Sequence, residues 1–313
     1  MPDPNAPAEP STHAARAGVS FALFAYLWWG VVLPVFFAQL KAADAMELLA
    51  HRVLFGLPLL LIMLAWNKRL GELLRTLRSW KHMRVLSVTT VLIAINWYVF
   101  TYAVVTGQLL EASFGYYINP LVSMALGMVF LGERPRRLGW VAVLLALAAV
   151  VYLGLQIGLP WISITVALCF GLYGLLRKKS DAGPVLGLTV EMTIMFPVLL
   201  GMFLYLHADG RALLLVGPPS ASAMMMMLGL VTVIPMLCFT AATRRLQLTT
   251  MGVLQYLTPT GQFLSAIALG EAFDQSRVVA FSLIWLALIV FTYDSVTHHR
   301  RALRRMGSVE ICE

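Results

Sequence analysis

The residues able to do chemistry in this chain sit inside long apolar runs. Arg52 follows His51 in the second apolar segment, centred near Phe55, where Glu47 is a further charge. An arginine at the centre of a membrane helix costs ~2.5–3.5 kcal/mol on insertion scales, so it must face protein or water. Counted from a boundary near Ala45 at about 1.5 Å per residue, Arg52 lies about 10 Å deep. A second charge, Glu191, lies in a later apolar segment, the seventh, centred near Phe196. Arg52 can therefore anchor a substrate carboxylate, act as counter-ion to Glu191, or pin Glu47 or a neighbouring carbonyl, and the sequence leaves all three open. His51 reads as an interior histidine or a proton carrier. A second polar set is aromatic: Asn96-Trp97-Tyr98, Tyr116-Tyr117-x-Asn119-Pro120 and Gln255-Tyr256-x-Thr258-Pro259. Aromatic faces with a few amides and hydroxyls suit a small amphipathic molecule or a cation. Asn119 and Thr258 each precede a proline, which leaves a helix carbonyl without its usual donor. The competing reading of the tyrosines is an interfacial aromatic belt.

These side chains need membrane helices to position them. Of 313 residues, 60% are apolar and 12% charged, against about a quarter charged in soluble domains. Apolar windows separated by short polar breaks centre near Trp28, Phe55, Ile95, Leu121, Leu147, Val166, Phe196, Leu230, Leu264 and Leu286, which predicts ten spans. The first is too long for a signal peptide's apolar region, about 7–15 residues, and is read as retained. With ten spans and a cytoplasmic N-terminus, 19 of the 23 Lys and Arg fall in loops predicted inside and three outside, with Arg52 within a span. That is the positive-inside pattern, and it accounts for the net charge of +8 without nucleic acid.

The chain also repeats itself. Tyr117-x-Asn119-Pro120 answers Tyr256-x-Thr258-Pro259 at an offset of 139, and Leu131-Gly132-Glu133 answers Leu269-Gly270-Glu271 at 138. Pro58 answers Pro197, and the same offset carries Arg52 onto Glu191. Five spans per half is odd, so the second half enters the membrane in the opposite sense. Inverted repeats point to alternating access around a site near the midplane; the other reading is an old duplication kept for packing. The expected fold is an all-α membrane protein of ten transmembrane helices as two inverted five-helix repeats with both termini cytoplasmic. Its divisions are a disordered tail over 1–15, repeats over 16–156 and 157–297, and a basic tail over 298–313 suited to anionic lipid head groups. Glu133 and Glu271, each after a Leu-Gly stop, read as solvated ends, loop anchors or gate elements.

Trp29-Gly30, Ala50-His51-Arg52, Asn96-Trp97 and the run Leu110-Glu111-Ala112-Ser113-Phe114-Gly115-Tyr116-Tyr117-Ile118-Asn119-Pro120-Leu121 together resemble the RarD proteins of the EamA branch of the drug/metabolite transporter superfamily. The resemblance spans roughly Arg16 to Arg300 and implies a multi-pass protein of the bacterial inner membrane that transports a small molecule. The group's common label, chloramphenicol-sensitive, records a resistance phenotype and names no transported substrate.

Several chemistries are excluded by what the sequence lacks. There is no Gly-x-x-x-x-Gly-Lys-Ser/Thr loop for ATP and no His-Glu-x-x-His. The three cysteines, Cys169, Cys238 and Cys312, have no metal or disulfide spacing. No cofactor, metal or catalytic residue is expected. The expected activity is secondary transport of a small polar or amphipathic metabolite or drug by alternating access, with protons as a candidate coupling ion and a homodimer as a candidate assembly. The expected substrate-binding residues are His51, Arg52, Asn96, Trp97, Tyr116, Tyr117, Asn119, Glu191, Gln255, Tyr256 and Thr258. A membrane-embedded enzyme or lipid-handling protein, or a non-transporting membrane receptor, stands as the alternative.

Overall fold

A computed structural model describes residues 12–131, 137–178, 182–246 and 248–309. The 1–15 tail mostly, the Gly132-Glu133 stop with Arg134 and Arg136, Lys179, and Cys312 lie outside the described residues, as do the side chains of the basic tail. Among the described residues there is no strand.

The helices follow the apolar windows. Helix α1 (Thr12–Leu27) runs through a short π-helical segment (Trp28–Val32) into α2 (Leu33–Ala38). Then come α3 (Ala45–Trp66), the short α4 (Leu70–Arg78), α5 (Trp80–Val105), α6 (Leu109–Leu131) and α7 (Arg137–Ile157). The later part holds α8 (Trp161–Lys178), α9 (Pro184–Ala208), the single turn α10 (Leu213–Val216), α11 (Pro219–Thr243), α12 (Leu248–Leu254), α13 (Leu257–Ala268) and α14 (Gln275–Val309). Eight stretches are long and apolar enough to cross a membrane: the α1–α2 rod, α3, α5, α6, α7, α9, α11 and the first part of α14. Helix α8 is a shorter apolar helix, and α12 and α13 are separated by a break at Gln255-Tyr256. Every predicted window centre falls in one of these elements.

Local chemistry explains the ends. Asp44 caps α3 by accepting from the Met46 N–H at 2.7 Å, leaving Ala45 as the first helical residue. Helix α4 turns Leu73 and Thr76 inward and ties Arg69 to Glu72 at 2.7 Å at the surface. The two Tyr-x-x-Pro motifs behave differently. Helix α6 continues through Pro120, whereas the equivalent stretch before Pro259 interrupts the chain between α12 and α13.

Packing is pairwise. Helix α3 lies against α9 and α11, α5 against α8 and α9, α6 against α8 and α13, α7 against α14, α1 against α11, and the π segment against α13. The π-segment crossing is close because both backbones lack side chains there. A Cβ on Gly30 would meet the Thr258 carbonyl oxygen at 2.9 Å, and one on Gly261 would meet the Gly30 Cα at 2.9 Å. The α6–α8 crossing uses Gly115 in the same way, against the Ser163 carbonyl at 2.6 Å. Small residues at crossings let membrane helices approach where apolar surface alone gives no preference over lipid. Outward faces stay apolar, with Leu144, Leu147 and Val151 of α7 and Ile289 of α14 exposed. A bilayer would cover such surfaces at no cost. These features make the protein an integral membrane protein.

Candidate functional site

Arg52 is 4% exposed and sits among α2, α5, α6 and α11. Its Nε donates to Thr232 Oγ1 at 3.1 Å, from α3 to α11. Its guanidinium carbon stands 4.3 Å from the centre of the Trp97 ring and 5.5 Å from that of Phe37. Nη1 is buried without a hydrogen-bond partner. Among the described residues no carboxylate comes within ion-pair distance of this side chain. The cation is thus held by a hydroxyl and aromatic faces, with its charge uncompensated.

Asn96, beside Trp97 on α5, is also buried. Its Nδ2 donates to the Val166 carbonyl of α8 at 3.2 Å, and its Oδ1 accepts from the Tyr116 hydroxyl of α6 at 3.0 Å. Tyr116 in turn meets Phe100 and Phe170 edge-on. Arg52, Trp97, Asn96 and Tyr116, predicted separately, therefore belong to one neighbourhood.

His51 points elsewhere. Its Nδ1 lies 2.8 Å from the Glu47 carbonyl of its own helix, and because a carbonyl only accepts, Nδ1 carries a proton. The ring stacks on Phe55 and meets Phe203 of α9 edge-on, and Nε2 has no partner. Glu47 is buried and accepts from the Leu214 N–H at 3.2 Å, so it is not the partner of Arg52.

Glu191 has a full set of partners of its own and does not pair with Arg52. Thr89 of α5 donates to Oε1 at 2.7 Å, Tyr173 of α8 donates to Oε2 at 3.2 Å, and Arg177 Nε lies 4.0 Å from Oε1. The carboxylate is 0% exposed.

The remaining predicted residues fall in three further places. Tyr117 bonds Thr260 at 2.8 Å and packs edge-on against Phe281 and Trp285. With Tyr256, Trp285, Ile289, Thr292 and Tyr293 it lines a cleft of about 530 Å³ between α6, the α12–α13 break and α14. Thr258 donates to the Tyr26 carbonyl at 3.1 Å and so ties α13 to α1. Asn119 Oδ1 is buried and unpartnered near Gly171, and Gln255 is half-buried at the break.

Sequence reasoning missed Thr232, Thr89, Tyr173 and Arg177. A signal for two of them was available: Thr232 and Thr89 differ by 143, one helical turn away from the repeat offset, and a turn returns to the same helix face. It also left Glu271 undecided. The carboxylate accepts from the Leu109 N–H at 2.6 Å and the Leu110 N–H at 2.8 Å, so it anchors the start of α6. Burial pushes this carboxyl above the usual range, while the two N–H groups and Arg277 pull it back.

A bundle of apolar helices that encloses charged and amide side chains defines the class: a polytopic membrane protein with a polar interior. Residues 16–155 match the EamA-like transporter family. An uncharacterized transporter of Pseudomonas aeruginosa is 40% identical over 95% of this chain and 98% of that one. Protein RarD of Escherichia coli K12 is 38% identical over 91% and 97%, and Protein RarD of Streptomyces exfoliatus 37% identical over 93% of each. One crystal structure shares the fold with a TM-score of 0.54 at 19% identity, over 89% of this chain and 96% of that one. The chain belongs to the RarD-type proteins of the EamA-like transporter family and is a membrane transporter, not an enzyme.

Proposed function

We propose that the protein is a secondary transporter of a small polar or amphipathic metabolite or drug, working by alternating access in the inner membrane of a bacterium. In this reading α1–α2, α3, α5, α6 and α7 are the first five spans, and α8, α9, α11, α12–α13 and α14 are the second five, inverted, with both termini cytoplasmic. The repeats are 16–156 and 157–297.

The observation that carries the reading is the helix pairing. Exchange each span for its counterpart in the other half, and the contacts return onto themselves. The α6–α8 packing becomes α13 with the π segment, α3–α11 becomes α9–α5, and α5–α8 becomes α11–α1. The pairs α3–α9, α6–α13 and α7–α14 map onto themselves. The polar contacts follow the same exchange: Arg52 of the second span reaches Thr232 of the eighth, and Glu191 of the seventh is reached by Thr89 of the third. Two similar halves joined by such self-matching contacts can rock between two states exchanged by a pseudo-two-fold axis in the membrane plane and of similar energy, which is what alternating access needs. Arg52, Trp97, Asn96 and Tyr116 form the substrate site in this scheme, occluded here, with His51 behind it. Glu191 is a fixed charge that holds α9 to α5 and α8.

Proteoliposome uptake of labelled amino acids, amines and phenicol drugs, with and without a pH gradient, tests the reading. Uptake that requires the protein and collapses in Arg52→Ala supports it, and the pH arm reports whether protons are the coupling ion. Uptake equal to protein-free vesicles for every compound overturns it.

The cleft at Tyr117, Tyr256 and Trp285 favours a second reading. Its wall carries Ile289, 67% exposed on a lipid-facing helix, so the cleft lies open toward acyl chains. A lipid-handling protein would use such an opening. Scrambling of fluorescent lipids that stops in Trp285→Ala and not in Arg52→Ala would favour it.

A further inference from the structure

The neighbourhood of Arg52 is complete except for an anion. Of the guanidinium's five N–H bonds, the one on Nε goes to Thr232, and Nη1 is buried with no acceptor. The guanidinium carbon lies over the face of the Trp97 ring, 4.3 Å from its centre, where cation–π attraction stands in place of a hydrogen-bond acceptor. Buried charges are ordinarily paired or withdrawn from the apolar interior. The carboxylates that could have paired with this one are committed elsewhere: Glu47 to the Leu214 N–H, and Glu191 to Thr89, Tyr173 and Arg177.

We infer that the Arg52 site binds an organic monocarboxylate whose carboxylate lies on the free guanidinium edge and whose apolar or aromatic body packs among Trp97, Phe37 and Tyr116. The inference rests on the transport reading and supplies its substrate class. Three features of the site select this chemistry. The free edge is a planar fork that matches two carboxylate oxygens side by side. A single negative charge balances a single guanidinium, because His51, the neighbouring titratable group, turns its proton-bearing nitrogen to the Glu47 carbonyl and its ring to Phe55 and Phe203. An ammonium group would meet the like charge of Arg52 and, among the described residues, no carboxylate within ion-pair distance of that side chain to offset it. The site thus disfavours amines and zwitterions and leaves a dianion with a charge unmet. The fixed positive charge would be neutralised when the site is loaded and bare when it is empty, which favours the switch of access in the loaded state and hence exchange of one carboxylate for another.

The test uses the full-length protein in liposomes and a panel matched in ring and differing in charge: benzoate, phenylacetate and phenylpyruvate against benzamide, benzylamine and phenylalanine. Melting temperature reports binding and labelled uptake reports transport. The expected result is stabilisation by carboxylates alone, weakened by roughly 30-fold or more in Arg52→Gln, the equivalent of about 2 kcal/mol. Arg52→Lys keeps the charge without the fork and should lie between the two, so the comparison survives if Arg52→Gln folds poorly. Benzamide or benzylamine binding as well as benzoate, carboxylate binding that is unchanged in folded Arg52→Gln, or no carboxylate-specific stabilisation across the panel overturns the inference. Protein-dependent uptake of an amine overturns it and leaves transport standing. Carboxylate binding without uptake of any compound keeps the site and overturns the transport reading.

Discussion

Arg52 and Glu191 are buried charges set 139 residues apart, the offset of the chain's repeated proline motif, yet their surroundings are opposites. Glu191 has a hydroxyl on each oxygen and a guanidinium at 4.0 Å, all supplied by α5 and α8. Arg52 has one hydroxyl, two aromatic faces and no carboxylate. A buried charge whose partners are all built in serves the fold, because its desolvation is offset within the chain. A buried charge left short of a partner is tolerated when something outside the chain completes it. On the proposed reading of two inverted repeats, one mid-membrane polar position serves structure and the other is left for a ligand.

The largest expected effect separates the two directly. Arg52→Gln should reduce uptake by roughly 30-fold or more while leaving the melting temperature unchanged or higher, since an uncompensated buried charge has been removed. A fall in stability with uptake retained would erase the distinction. Glu191→Ala should do the reverse. It strands Arg177 and should cost about 3 kcal/mol of stability, read as a lower melting temperature, with uptake per folded protein kept within about threefold, equivalent to some 0.7 kcal/mol.

Glu271 tests a smaller contrast, between a charge buried inside the bundle and one at its rim. Its carboxyl is held above the ordinary range by burial. A carboxyl whose folded value is raised favours folding most when protonated, and that contribution is lost as pH rises from the ordinary value near 4.5 through the raised one. Glu271→Gln cannot ionise. The melting temperature of the variant minus that of wild type should therefore increase with pH over this window, superimposed on a constant loss of about 1 kcal/mol for the weakened cap on Leu109 and Leu110. A difference independent of pH would show that the carboxylate is solvated. The smallest effect belongs to Tyr117→Phe, which removes the hydroxyl contact to Thr260. It should cost about 1 kcal/mol of stability and leave uptake unchanged; a large loss of uptake would move the substrate site to the cleft beside Trp285.

Much of the architecture could be read before any coordinates. The apolar windows place the helices because a bilayer demands about 20 apolar residues per span, and each window centre lies in a helix. The proline repeat named the two stretches that run differently, although it predicted like behaviour where α6 continues and α12–α13 breaks. Local pattern carries no information on whether a neighbouring helix supplies enough packing to hold the chain through a proline.

The candidate site was legible residue by residue and not as a set. Arg52, Asn96, Trp97 and Tyr116 stood out because polar and large aromatic groups are costly at mid-span, a property of each residue alone. The cost does not say which of them share a neighbourhood. Helix geometry alone sets Tyr117 about 100° around α6 from Tyr116, and His51 likewise from Arg52; tertiary packing decided what each side meets, placing Trp285 against Tyr117 and Phe203 against His51. It also chose Arg177 over Arg52 as the cation beside Glu191. The sequence by itself determined the class, an all-helical chain of apolar membrane spans, because hydropathy is one-dimensional. Only the tertiary structure decided which charge is completed by the protein, because a partner is chosen by distance and direction in three dimensions.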